Sequence, residues 1–186
     1  MMQLARSSQV KMRSKSGQVW IETVIYTLIG LSLIAVVLAI VTPKINEYKD
    51  KSVIEQTISS FNEMDSKIKE SLAGGVGNAR TVEFRMKRGE IYFDREKDII
   101  YYIMDDSDVL YSEPDVETSI GRVKILTQEG QKKNTVKLTI EYQQNITFEG
   151  VEDIIIFTPS SVPYKFRFEN GGFSPEGRQI VNFEKI

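Results

Sequence analysis

Residues 17–43 read GQVWIETVIYTLIGLSLIAVVLAIVTP, and the plan of the chain follows from them. From Thr23 to Thr42 no residue is charged, and at about 1.5 Å of helical rise per residue the run covers roughly 30 Å, the thickness of a bilayer's hydrocarbon core. A helix buried in a soluble core is usually shorter and keeps a polar stripe. A secretory signal peptide has an apolar part of about 7–15 residues followed by a small-residue cleavage site, whereas this run leads into Pro43 and Lys44. The reading is a membrane-length helix that carries one acid, Glu22, near its start.

The flanks orient it. Residues 1–17 hold Arg6, Lys11, Arg13 and Lys15 and no acid, while the far side mixes Lys44, Lys49 and Lys51 with Glu47 and Asp50. By the positive-inside rule the N terminus is expected in the cytoplasm and the C-terminal body outside. Pro43 lacks an amide hydrogen and is the predicted helix kink. Beyond it Ile54, Ile58, Phe61, Met64 or Asp65, Ile68 and Leu72 recur at spacings of three and four with polar residues between them, the pattern of a helix with one apolar face. If the two halves are continuous, residues 18–72 make a rod of roughly 80 Å. Gly74, Gly75 and Gly77 are expected to end it and to begin a flexible joint.

The remainder alternates with period two. TVEFRMKR sets Val82, Phe84 and Met86 on one face, VKLTIEY sets Val136, Leu138, Ile140 and Tyr142, and YKFRFE sets Tyr164, Phe166 and Phe168. EIYFD with DIIYYIMD, and RVKILTQ with TVKLTIEY, are predicted antiparallel hairpins. DIIIFT lacks alternation and is predicted to lie centrally in a sheet. The expected fold is therefore α+β: a long hydrophobic then amphipathic helix over 18–73, then an antiparallel β-rich domain of about six to eight strands over 79–186. The inner face of that domain is expected to cover the amphipathic helix.

Composition removes whole classes of chemistry. The chain has 186 residues, no cysteine and no histidine, which excludes disulfides, thiolate metal sites, Ser-His-Asp and Cys-His catalysis. The net charge of −2 conceals a basic leader and a body of about −6. An acidic body is the wrong sign for a nucleic-acid surface, so no nucleic acid is expected as a partner.

The order of basic leader, Gly17, a short segment with an acid at its fifth place, a membrane-length helix, an amphipathic continuation and a β-rich body resembles a type IV prepilin. QVWIE after Gly17 is similar to the Q-x-S-x-E pattern of archaeal class III signal peptides, with Trp20 where that pattern has Ser and Ser16 where Lys or Arg often stands. The resemblance covers roughly residues 11–45 and the general architecture. It implies a leader over 1–17, cut between Gly17 and Gln18 by a prepilin peptidase, with the hydrophobic helix kept on the mature protein. It also implies, as partners, other pilin subunits, an assembly ATPase and platform machinery, and membrane lipid before assembly. The final location would be a cell-surface filament.

A buried carboxylate without a cation costs several kcal/mol in a lipid-like medium, so Glu22 is expected to be protonated or paired. Cleavage would create a cation, the α-amino group of Gln18, able to pair with Glu22 on the same or a neighbouring subunit and to set the axial register of packed helices. The plainer alternative leaves Glu22 at headgroup level facing water. Ala35, Ala39 and Gly30 offer close helix contact, a common feature of membrane helices. Asn145 begins the glycosylation triplet NIT, and DDSD at 105–108 reads as a solvated turn lacking the ligand spacing of a calcium loop. No catalytic residues, cofactor or metal ligands are expected. The competing functional reading is a single-span anchored binding or adhesion protein that never polymerises, and an anchored hydrolase ranks below both.

Overall fold

The computed structural model describes residues 15–149 and 153–186, with side chains from Val19 onward within those ranges. Two compact units divide between Lys44 and Ile45. Helix α1, Lys15–Ala73, contributes to both and contains Pro43. The helix is uninterrupted there, although Pro43 has no N–H to donate to the Ala39 carbonyl.

In the second unit the helix is one-sided. Ile54, Ile58, Phe61, Met64 and Ile68 are buried, as the spacing predicts, and Leu72 packs at the margin. Both members of the ambiguous pair Met64 and Asp65 are buried, the aspartate with cationic partners described below.

Among the described residues ten strands follow in two sheets. The smaller has the order β1 (Ala79–Phe84), β9 (Tyr164–Phe173), β10 (Gln179–Lys185), β7 (Asn145–Phe148). The larger runs β4 (Thr118–Ile120), β5 (Val123–Gln128), β6 (Asn134–Glu141), β3 (Ile99–Ser107), β2 (Glu90–Asp94), β8 (Ile154–Phe157). Both predicted hairpins are present, β2 with β3 and β5 with β6, and every pairing between these strands is antiparallel except β7 with β10. The parallel pair arises where the chain leaves β6 in one sheet and enters β7 in the other. Asp98 pins that crossing, its carbonyl accepting from Tyr142 N–H at 2.9 Å and its carboxylate from Ile146 N–H at 2.8 Å and Arg178 Nη2 at 2.6 Å.

One apolar core joins the helix and both sheets. Phe61 of α1 meets Phe84 of β1 at 5.8 Å between ring centroids. Across the sheets Phe93 of β2 stacks on Phe183 of β10 at 4.0 Å and meets Phe166 of β9 edge-on at 5.2 Å. Such ring pairs contribute about 0.5–1.5 kcal/mol each beyond area burial.

Three expectations need correction. The segment around DIIIFT is not central: β8 is the terminal strand of the larger sheet, with Ile155 and Phe157 facing inward and Ile154 and Ile156 exposed on the outer side. An unbroken apolar run reports hydrophobicity and not a strand's place in the sheet, and among the described residues β8 pairs with β2 alone. Gly74–Gly77 is not a loose joint. Asn78 Nδ2 donates to the carbonyls of Glu70 and Ser71, Asn170 Nδ2 to that of Gly74, and Gly77 N–H to the Asn170 carbonyl at 2.8 Å, so side-chain amides occupy carbonyls that a helix end leaves unsatisfied. Finally, DDSD is no simple turn. Asp105 and Asp106 form a bulge in β3 between Met104 and Ser107, with Asp106 at φ 58, and Asp108 reaches back to the helix.

Candidate functional site

The feature that no globular fold requires is the surface of α1 in the first unit. Every large apolar side chain from Val19 to Val41 is exposed, Trp20 at 70% and Tyr26 at 72% among them. Exposed apolar area of this extent on a water-soluble protein would be an association or membrane surface. Its serine and threonine hydroxyls are bonded within the helix. Thr23, Thr27, Ser32 and Thr42 each donate their hydroxyl to the carbonyl four residues back, at 2.9, 2.8, 2.8 and 2.7 Å. In water such back-bonding competes with solvation; in lipid it removes the cost of a bare hydroxyl. One helix of the described chain is thus long and apolar enough to cross a membrane.

Gly17 and Gln18 lie within α1, so the peptide joining them is helical backbone. Glu22 follows Gln18 by four residues along the helix. Its side chain is exposed, and between Gln18 and Pro43 it is the one charged residue. Asn145 belongs to the other unit. It is half-buried at the start of β7, its Oδ1 is buried without a hydrogen-bond partner among the described residues, and Thr147 of the same triplet donates to Asn182 Oδ1 at 2.6 Å.

Two ionic contacts, missed by the sequence reading, fasten the amphipathic half of α1 to the sheets. The Asp50 side chain, 2% exposed, pairs with Arg88 and accepts from Asp108 N–H at 2.7 Å, while Asp108 in turn pairs with Lys133. About four turns further on, Asp65 accepts from Lys69 at 2.6 Å and from Arg122 at 3.2 Å, and Arg122 also donates to the Glu141 carbonyl at 2.8 Å. The sequence signal was present in the helical spacing, since Asp50, Ile54, Ile58, Phe61 and Asp65 share a face. Charges on an apolar face announce partners elsewhere in the chain without identifying them.

Among the described residues no group of three or more acidic side chains is placed to hold a metal ion. Asp105 is occupied by Thr135 Oγ1 at 2.8 Å. A concavity of about 640 Å³ is a mainly apolar cleft between β7 and β10 on one side and β8 on the other, lined by Phe148, Phe183, Ile155 and Phe157 with Glu149 and Lys185 at its rim. Compared with known proteins, the chain matches no family model, no curated protein and no solved structure.

Proposed function

We propose that this chain is a structural subunit of a type IV pilus-like surface filament, inserted as a precursor, trimmed at Gly17–Gln18 by a prepilin peptidase and assembled through its apolar helix. The observation that carries the reading is the apolar surface of α1 from Val19 to Val41, exposed all round, internally hydrogen-bonded and interrupted by the single acid Glu22. Before assembly that surface sits in lipid, with the N terminus cytoplasmic and the β body outside. After extraction by an assembly ATPase and platform protein it packs against the same surface of other copies, the β bodies facing solvent. The new terminal amine at Gln18 pairs with Glu22 and fixes how far one helix slides along the next. The role is mechanical and not enzymatic. An anchored binding protein is the second reading, supported by the apolar cleft between β7 and β8.

The test is Glu22→Ala in cells that make the filament. Insertion and trimming continue, and incorporation into filaments falls at least about tenfold, the factor that corresponds to 1.4 kcal/mol. Incorporation equal to that of the parent chain refutes the pairing of Glu22.

A further inference from the structure

Sheets expose two edges each, and natural proteins blunt them with charge, proline, bulges or brevity because an open edge recruits another strand. Among the described residues two of the four edges conform, and a third is interrupted by polar side chains. β1 carries Arg80 and Glu83, β4 has three residues, and β7 alternates Asn145 and Thr147 with its apolar positions. β8 does not. Its residues Ile154, Ile155, Ile156 and Phe157 contain no charge, proline or polar group, and Ile156 is 52% exposed.

The backbone of β8 is also oriented outward in a defined way. Arg95 N–H donates to the Asp153 carbonyl at 3.0 Å, which makes 95 and 153 a hydrogen-bonded antiparallel pair. By the β2–β8 register, Phe93 with Ile155 and Ile91 with Phe157 are then the next such pairs. The N–H and C=O groups of Ile154 and Ile156 therefore point away from β2, along the open edge. Two outward residues spaced by two form a self-complementary set.

We infer that β8 is a contact between two copies of this chain, paired antiparallel about a two-fold axis through Ile155. In that register Ile154 of each copy faces Ile156 of the other and exchanges backbone hydrogen bonds with it. The two Ile155 residues oppose each other as a non-hydrogen-bonded pair at the mouth of the apolar clefts. Charge favours this alignment: Asp153 falls opposite Phe157 of the second copy, so the two carboxylates, each already paired with its own Arg95, do not meet. A strand pair of this size is far below the roughly 1,600 Å² of a standard interface, so it forms only between copies held at high local concentration. The contact rests on the membrane anchoring in the proposed function, and needs neither trimming nor filament growth. A two-fold contact closes on itself, so it yields dimers.

The absence of native cysteine makes the test direct. Full-length Ile155→Cys is reconstituted in vesicles and oxidised. Opposed Cα atoms in a non-hydrogen-bonded pair lie about 4.5 Å apart, within disulfide range. The expected result is one disulfide dimer band, reduced at least about fivefold by adding the edge charge Ile156→Lys, and absent from Ser119→Cys on the opposite edge of the same sheet. If Ile155→Cys fails to fold, Ile156→Cys with a short bis-maleimide reads the same pairing across the diagonal of about 7–8 Å. Dimers from Ser119→Cys at equal yield, or an Ile155→Cys dimer that Ile156→Lys leaves unchanged, overturn the inference. A defect in Glu22→Ala that persists while the β8 contact is lost would leave the filament reading standing alone.

Discussion

Removing one partner of the Asp50–Arg88 pair should destabilise the body unequally, and the order is fixed by which charge is buried. The Asp50 side chain is 2% exposed and that of Arg88 41%. In Arg88→Ala the carboxylate stays buried, keeps only the N–H of Asp108, and the contact of Arg88 with the Asp106 carbonyl disappears as well. The cost is about 3–4 kcal/mol, toward the low end for breaking a buried pair. In Asp50→Ala the guanidinium turns to water and the main loss is one unsatisfied backbone N–H, at about 1–3 kcal/mol. The double variant should resemble Asp50→Ala, because the arginine no longer has a buried charge to neutralise. Urea unfolding of a fragment beginning at Ile45, with midpoints compared at constant slope, measures all three. Asp50→Ala as the more damaging single change, or both changes below about 0.5 kcal/mol, would refute the argument that this pair clamps helix to sheet.

Two further outcomes follow from the core. Phe183→Ala should cost about 3–5 kcal/mol in the same unfolding assay, since its ring stacks on Phe93 at 4.0 Å and also meets Phe166 and Phe168; a loss below 1 kcal/mol would mean the two sheets do not share that core. Burial raises the phenols of Tyr102 and Tyr142 above the ordinary value near 10, while a hydrogen bond to Glu90 pushes Tyr92 up to about 12. The fold holds these phenols neutral, so their contribution to stability is complete below pH 10 and is lost as pH rises beyond it. Ultraviolet titration should show Tyr102 and Tyr142 ionising together with unfolding, and their ionisation near pH 10 in a folded protein would contradict their burial.

What the sequence disclosed and what it concealed divide along physical lines. Local periodicity is written in the chain, so the apolar run from Thr23 to Thr42, the buried stripe Ile54 to Ile68 and the alternating strands β1, β6 and β9 were legible. Adjacency of hairpins was legible too, because short turns leave few choices. Non-local pairing was not. Nothing in IIIF distinguishes an edge from a centre, and nothing in NIT announces a strand parallel to the C-terminal one. The strand register also places Gly171 in a β9 bulge against β10, where a Cβ would come within 2.9 Å of Ile180. Of the candidate site, Glu22 stood out because charge in an apolar run is visible in one dimension, whereas Asp50 and Asp65 needed Arg88 and Arg122 from distant segments to become intelligible.

The most direct test of a retained, self-packing N-terminal helix is the first residue of the mature protein, read by N-terminal sequencing or intact mass from filament-producing cells. The account predicts a chain that begins at Gln18 and keeps its hydrophobic segment. A mature chain that still begins at Met1 would contradict it.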